Sequence, residues 1–208
     1  MTTVNKNNIK DSTELKILEA SKRVFLSKGL YGARMQEIAD EAGINKALLH
    51  YYFRSKDKLF DAVFSDTAVR FFSKINELIS TDKPLFEKIE YFISEYIDLL
   101  LENSFIPAFI ISEVHQNPER IKKIIVKSGV NPRQIFAREI NAAVKQKIIR
   151  PVEPVQLIVN ILGLCVFPVA AKPIIKSMFV QGEDEYKRFM MQRKKDLAAF
   201  IINAIKVN

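Results

Sequence analysis

Residues 32–60 have the sequence GARMQEIADEAGINKALLHYYFRSKDKLF. Apolar residues at helical spacing predict a short helix over Met35–Ala42, and Gly43 after it can adopt the positive φ that ends a helix. Asn45 can cap a second helix over Lys46–Tyr52, because its side-chain oxygen can accept a hydrogen bond from a first-turn N–H. Two short helices joined by a glycine-containing turn predict a helix-turn-helix.

The second of these helices has a polar side and an apolar side. Leu48, Leu49 and Phe53 can pack inward, whereas amide, basic and aromatic groups lie on the other side at Asn45, Lys46, Ala47, His50 and Tyr51. A short side chain lets the helix backbone approach the major groove of DNA, and amide or basic groups at the start of a helix can bind base edges. The alternative is an ordinary helical hairpin with a solvated polar face.

This segment resembles the signature of the TetR family of bacterial transcriptional regulators. The residues that match it in order and spacing are Ile38-Ala39, Gly43-Ile44, Leu49, Phe53, Lys56 and Leu59. The resemblance implies an all-α fold, in which an N-terminal three-helix DNA-binding domain precedes a larger helical bundle for ligand binding and dimerisation. Two departures lie at positions that face DNA in the family. His50 stands where the family usually has Tyr, and Arg34-Met35 stand where small hydroxyl residues are common.

Ten residues are predicted to contact DNA: Arg34, Gln36, Asn45, Lys46, Ala47, Leu48, His50, Tyr51, Tyr52 and Lys56. Lys46 and His50 are expected to select the base sequence. Lys56 is expected to bind phosphate and to raise the affinity for all sequences alike. The two tyrosines are also suited to phosphate contacts.

The charge balance supports a polyanionic partner. The 208 residues carry a formal net charge of +8, and residues 1–60 hold eleven Lys/Arg against seven Asp/Glu. This balance favours nucleic acid or an anionic membrane. The longest apolar run, 155–171, is interrupted by Asn160 and Pro168 and is too short for a membrane span, so no membrane partner is expected. A single cysteine and an N-terminus without the apolar core of a signal peptide are typical of a cytoplasmic protein.

Helical patterns continue along the chain and predict an all-α protein in three parts. Residues 1–12 are expected to form a flexible polar arm, residues 13–60 the helix-turn-helix domain, and residues 61–208 the ligand-binding and dimerisation domain. A long helix over 56–79 is expected to join the two domains. Further helices are predicted over 85–102, 107–116, from 118, over 132–147, over 154–178 with kinks at Pro168 and Pro173, and over 184–206.

The last two predicted helices are the expected homodimer interface. The first is apolar around most of its circumference, more than one face within a protomer needs, at Val155, Ile158, Val159, Ile161, Leu162, Leu164, Val166 and Val169. The second carries Phe200 and Ile201. The resemblance implies the same pairing, in which residues 154–178 and 184–205 of two protomers form a four-helix contact.

The larger domain is expected to hold a small, mostly apolar effector, without a cofactor or metal. The predicted pocket residues are Phe92, Tyr96, Phe105, Phe109, Glu113, Phe136, Asn160 and Phe167, with His115 as a further polar candidate. So few polar groups argue against a sugar or nucleotide, although each aromatic residue could equally belong to a filled core. No Cys/His cluster predicts a metal site, and Cys165 is expected to be a buried thiol.

The favoured interpretation is a repressor whose effector changes the spacing of two DNA-binding heads, so that they no longer fit successive major grooves. One alternative is a helical enzyme with an incidental helix-turn-helix, although the sequence shows no nucleophile elbow, phosphate loop or paired catalytic carboxylates. The other is a DNA-binding protein that senses no small molecule.

Overall fold

The computed structural model describes the backbone of residues 3–129 and 132–207, and the side chains of residues 12–65, 67–115, 117–129 and 136–207. Within these ranges the chain is helical, apart from turns and a single bridge between Ile149 and Lys206, which confirms the all-α prediction. The helices are α1 (Thr3–Gly32), α2 (Met35–Glu41), α3 (Lys46–Tyr52), α4 (Lys56–Ile79), α5 (Leu85–Glu102), α6 (Ile106–Gln116), α7 (Pro118–Ser128), α8 (Pro132–Lys145), α9 (Pro154–Ala170), α10 (Lys172–Met178) and α11 (Gly182–Ile205).

The chain divides into two compact units, Met1–Arg70 and Phe71–Asn208. The boundary predicted at residue 60 lies earlier, because the first turns of α4 pack within the first unit. There the ring of Phe25 on α1 contacts Phe60 edge-on, with 4.9 Å between centroids, and lies 5.9 Å from Phe64. The helix α4 therefore contributes residues to both units.

Helix α1 starts earlier than the sequence predicts. Its backbone is helical from Thr3, where a polar arm is expected over residues 1–12. Capping groups at residues 11–13 do not oblige a helix to begin there, and no Gly or Pro interrupts residues 3–28. Residues 1 and 2, and the side chains of residues 3–11, lie outside the described part of the chain. Near its end α1 is interrupted at Gly29, whose φ of 69° favours glycine.

The short helices α2 and α3 are held in place by buried apolar side chains. Ile38 and Ala39 on α2, Leu49 on α3 and Leu59 on α4 are fully buried. Burying one leucine or isoleucine contributes about 1.5–3 kcal/mol. Helices of seven residues are too short to be stable alone, so this burial, rather than helix propensity, keeps them formed.

Helix α9 continues through Pro168 without ending there. The break in the helix predicted over 154–178 falls at Ala171, between the two prolines at which kinks were predicted, and Pro173 lies in the first turn of α10. A proline lacks the N–H that would bind the carbonyl four residues earlier, which is that of Leu164. Arg193 on α11 donates two hydrogen bonds to this carbonyl instead, from Nη2 at 2.8 Å and from Nε at 3.2 Å.

A second side chain of α11 supports the same part of α9. The hydroxyl of the buried Tyr186 donates to the carbonyl of Pro168 at 3.2 Å, close to where α9 ends. Across the described residues, none of the helices alone has both the length and the apolar character to cross a membrane. Helices α9 and α10 together have both, but they are bent by 71° at the break between them.

Candidate DNA-binding surface and internal cavity

The turn between α2 and α3 is fixed by a glycine and an asparagine. Gly43 has a φ of 67°, and the N–H of Ile44 donates to the carbonyl of Ala39 at 3.0 Å. The side-chain oxygen of Asn45 accepts a hydrogen bond from the N–H of Leu48 at 2.7 Å. Asn45 is therefore the N-cap of α3, as predicted, and its amide NH₂ is the group that remains to bind a base.

Helix α3 has one face in solvent, formed by Lys46, Ala47, Leu48, His50 and Tyr51. The prediction that Leu48 packs inward is wrong, since its side chain is 37% exposed. Consecutive helix residues are turned by about 100° from each other, and Leu49 takes the inward position. The exposed face therefore combines basic, imidazole, phenol and apolar groups, which are the kinds of group that contact bases and phosphates.

The two tyrosines at the end of α3 differ in exposure. Tyr51 is 71% exposed, whereas Tyr52 is half-buried. Their rings meet edge to face, with 5.5 Å between centroids. This contact supports the ring of Tyr51 at the surface, where its hydroxyl could reach a phosphate.

At the start of α2, Arg34 and Gln36 are exposed, as a DNA contact requires. The side chain of Gln36 donates to Asp40 at 2.8 Å along the helix. Glu37 pairs with Lys28 on α1 at 3.0 Å, and the hydrogen bond from Lys28 lowers the pKa of Glu37. This pair offsets an acidic charge beside Arg34, which favours the approach of a polyanion.

Lys56 has partners inside its own unit. Its ammonium donates to the carbonyl of Ala33 at 3.0 Å and to that of Tyr31 at 3.4 Å, and the residue is half-buried. Carbonyls at the end of a helix lack backbone partners, and Lys56 binds those that follow the break in α1. The structure thus gives Lys56 a role in joining α4 to the end of α1, in addition to the phosphate contact predicted from sequence.

The second unit contains a cavity of about 180 Å³. It is lined by side chains from α4, α5, α7, α8 and α9, namely Phe72, Ile75, Ile79, Phe92, Tyr96, Ile125, Phe136, Ile158, Ile161 and Leu162. The ring of Phe92 stacks on Tyr96, with 5.2 Å between centroids, and meets Phe136 edge-on at 5.8 Å. The cavity thus has an aromatic wall on α5 and α8, and its other walls are mostly aliphatic.

Three of the eight predicted pocket residues line this cavity: Phe92, Tyr96 and Phe136. The other five lie elsewhere. The buried carboxylate of Glu113 pairs with Arg120 on α7 at 2.8 Å, so that it closes α6 against α7. Asn160 and Phe167 are exposed on α9, whereas Phe109 is buried and Phe105 half-buried outside the cavity lining. His115 is exposed, and the described residues contain no cluster of metal-binding side chains.

The seven other described lining residues were not predicted from sequence. Phe72, Ile75 and Ile79 lie on α4 at three- and four-residue steps, so that their helical spacing was a usable signal. Ile158, Ile161 and Leu162 were assigned to the dimer interface, because periodicity cannot tell which partner an apolar face meets. Cys165 is fully buried as predicted, and burial raises its pKa to about 12.

Comparison with known proteins identifies the first unit. The family model described as "Bacterial regulatory proteins, tetR family" matches residues 17–63, a range that contains every residue predicted to contact DNA. The protein is a TetR-family regulator. The family named by the sequence signature is thus confirmed.

Two named regulators share part of the sequence of this TetR-family protein. The transcriptional activator FasR of Mycolicibacterium smegmatis is 27% identical over 95 residues, which span 46% of this chain and 43% of FasR. The transcriptional repressor NicS of Pseudomonas putida is 42% identical over 53 residues, which span 26% of this chain and 25% of NicS. The chain thus covers less than half of the length of each of these relatives.

The fold of this TetR-family regulator is found in solved structures along nearly its whole length. PfmR, a TetR-family transcriptional regulator from Thermus thermophilus, is similar with a TM-score of 0.66 at 19% identity, covering 90% of this chain and 97% of PfmR. TetR-family proteins are dimeric regulators that bind operator DNA, and they are not enzymes. The helical-enzyme alternative is therefore wrong.

Proposed function

We propose that this TetR-family regulator is a homodimeric cytoplasmic repressor that leaves its operator when a small, mostly apolar effector fills the cavity. The course of α4 is the observation that carries the proposal. This helix begins at Lys56, directly after the helix-turn-helix, and its later residues Phe72, Ile75 and Ile79 line the cavity. A single helix thus supplies residues of the DNA-binding unit and a wall of the cavity.

An effector lowers DNA affinity only if it binds the DNA-free conformation better than the DNA-bound one. A ligand in the cavity contacts α4 directly, so it favours those positions of α4 that leave room for it. In a dimer, the position of α4 affects the spacing of the two recognition helices, which must match grooves about 34 Å apart. For a tenfold loss of operator affinity, the effector must bind the DNA-free conformation more favourably than the DNA-bound one by about 1.4 kcal/mol.

The DNA-binding residues proposed here are the ten predicted from sequence, of which eight are exposed and Tyr52 and Lys56 are half-buried. Fluorescence anisotropy with DNA from upstream of the protein's own gene should show a sequence-preferring complex. Its affinity should fall steeply with salt, because neutralised phosphates release counterions. Lys46→Ala and His50→Ala should change the ranking of operator variants. Equal binding to unrelated DNA at every salt concentration would contradict the proposal.

The effector role is tested by filling the cavity. Leu162 is half-buried and lines the cavity, so Leu162→Phe places a larger side chain in open space and should preserve folding and DNA binding. Compounds that release the operator from the wild-type protein should lose this effect on the variant. If operator release is unchanged in Leu162→Phe, the effector acts at another site. If a screen of lipophilic and polar metabolites releases no DNA, the regulator binds its operator without an effector.

We assign the repressor role because, in this mechanism, the bound protein blocks a promoter and the effector relieves that block by removing it. Both activation and repression occur among the named relatives. A reporter gene behind the operator decides between them. Deleting the regulator should raise reporter expression to the level reached with effector, whereas a fall in expression would make the protein an activator.

The proposed dimer interface is the outer side of α9 and α11. Three exposed apolar residues support it: Val155, Val159 and Phe200. Exposed apolar surface of this kind often marks a protein–protein contact. The other expected interface residues include four that are buried within the protomer, namely Ile158, Ile161, Val169 and Ile201, so the core already accounts for their apolar character.

Light scattering of single-residue variants tests this interface. Phe200, 64% exposed on α11, should support the dimer, so Phe200→Glu should give monomers. Val126→Glu is the control, because Val126 is also exposed, at 74%, but lies on α7, outside the expected interface. Ile201→Glu would disturb the protomer core and so tests folding instead. A wild-type protein that is monomeric at micromolar concentration would overturn the proposed dimer.

A further inference from the structure

The cavity contains almost no polar groups. Ten described side chains line it, of which nine are hydrocarbon only and one, that of Tyr96, has a polar atom. Among the lining residues that the structure describes, none is charged. Whatever occupies this space therefore meets hydrocarbon on nearly every side and one phenol hydroxyl.

The hydroxyl of Tyr96 is the polar group of this lining that lacks a protein partner within the described residues. Within the part of the chain that the structure describes, the fully enclosed side-chain nitrogen and oxygen atoms all have hydrogen-bond partners. No protein hydrogen bond is made by Tyr96 within the same residues, so its hydroxyl must keep some surface open. The residue as a whole is buried, and the cavity is the open space that it lines.

Two cations near these helices already have partners. Lys88 is buried four residues before Phe92 on α5, and its ammonium donates to the Glu139 carboxylate at 2.6 Å. Arg193 donates to the Leu164 carbonyl on α9. Neither of these two cations is free to pair with a carboxylate placed in the cavity, and burying an unpaired charge is strongly unfavourable.

We propose that the cavity selects uncharged molecules of about one aromatic ring that carry a single hydrogen-bond acceptor, and that the hydroxyl of Tyr96 donates to this acceptor. The inference rests on the proposed effector role of the cavity and gives the effector a chemical class. The size follows from the volume, because an apolar cavity of about 150 Å³ in another protein binds benzene. Burial raises the pKa of Tyr96, and the nearby Cys165 adds to this effect, so the phenol stays protonated as a donor.

Three probes of nearly the same shape separate the effects of charge and of hydrogen bonding on binding. Acetophenone carries a carbonyl oxygen, α-methylstyrene has a methylene group in its place, and benzoate has a carboxylate. Calorimetric titration should show saturable binding of the first two and none of benzoate in the same concentration range. Tyr96→Phe keeps the ring and removes the hydroxyl, so it should weaken acetophenone about 2- to 10-fold and leave α-methylstyrene within twofold.

Two variants serve as controls. Tyr186→Phe removes a different buried hydroxyl, which is bound to the Pro168 carbonyl, and should not change the ratio of the two affinities. Leu162→Phe should weaken both neutral probes. The inference is overturned if Tyr96→Phe weakens both neutral probes equally or neither, if benzoate binds as tightly as acetophenone, or if no probe binds.

Operator binding, measured on the same variants, separates this inference from the proposed function. If a charged metabolite releases the operator and Leu162→Phe prevents this release, the selectivity proposed here is wrong while the ligand-controlled function of the cavity stands. If Tyr96-dependent binding is observed but no cavity ligand alters operator affinity, the selectivity stands and the ligand-controlled function fails.

Discussion

On α3 the side chains expected to meet DNA follow one another within seven residues, whereas the ten side chains around the cavity come from five helices. The α3 surface depends on a cap, a glycine turn and one inward leucine. The cavity depends on which faces of distant helices meet. Local patterns therefore place a DNA-binding face well, while an enclosed binding space arises only from packing between segments far apart in sequence.

Adjacent leucines on α3 test the first half of this comparison and carry the largest expected effect. Leu49 is fully buried and Leu48 is 37% exposed. Leu49→Ala should destabilise the DNA-binding unit by about 2–5 kcal/mol and abolish DNA binding, whereas Leu48→Ala should change stability by less than about 0.5 kcal/mol. Thermal unfolding followed by circular dichroism measures both. Similar losses for the two variants would mean that α3 lies in a different orientation.

The features predicted correctly from sequence are local ones, and those missed depend on contacts between distant segments. The cap at Asn45, the turn at Gly43 and the bounds of α3 depend on contacts within a few residues, and all were predicted. Lys56 binds carbonyls more than twenty residues earlier in the chain, and that role was not foreseen. Phe167 was placed in the pocket because it is aromatic. Its 59% exposure depends on which side of α9 meets its neighbours, and sequence spacing alone does not determine that.

Arg193 tests how strongly a distant contact supports the second unit. Arg193→Met removes both hydrogen bonds to the Leu164 carbonyl and should destabilise this unit by about 1–3 kcal/mol. Pro168→Ala restores a backbone N–H for the same carbonyl, so Arg193→Met should be less costly in that background. Urea denaturation of the four proteins of this double-mutant cycle gives the coupling. An equal cost in both backgrounds would show that Arg193 stabilises the unit in some other way.

Two lysines of the first unit separate a structural role from a DNA-binding role. Lys56→Ala should lose about 1 kcal/mol of stability, because carbonyls at the end of α1 lose a charged donor. Lys46 is exposed, so Lys46→Ala should leave stability unchanged, while both variants should flatten the salt dependence of DNA binding by about one released counterion. Anisotropy titrations at several salt concentrations, with thermal unfolding of the free protein, measure both. The reverse pattern would exchange the roles of the two lysines.

The smallest expected effect is on the pH dependence of stability, to which one carboxylate in each unit contributes. Lys28 lowers the pKa of Glu37 in the first unit, and Lys172 and Lys176 lower that of Glu183 in the second, from an ordinary value of 4.5. Each carboxyl titrates at lower pH when folded, so its ion pair contributes above pH 4.5 and is lost as pH falls through the folded pKa. Glu37→Gln or Glu183→Gln should flatten this acid dependence slightly. If thermal unfolding at acid pH is the same for the variants and the wild type, these exposed ion pairs contribute nothing to stability.

The hydrogen bonds between Arg193 and Leu164 also affect the order in which parts of the chain fold during synthesis. The two residues are 29 positions apart, and at a synthesis rate of about 5–20 residues per second Leu164 leaves the ribosome roughly 1.5–6 s before Arg193. During that interval water must bind the carbonyl that Pro168 leaves open. The second half of α9 therefore reaches its final surroundings only when α11 arrives. The end of α9 therefore becomes fixed late in synthesis, after the residues of the same helix that line the cavity have been made.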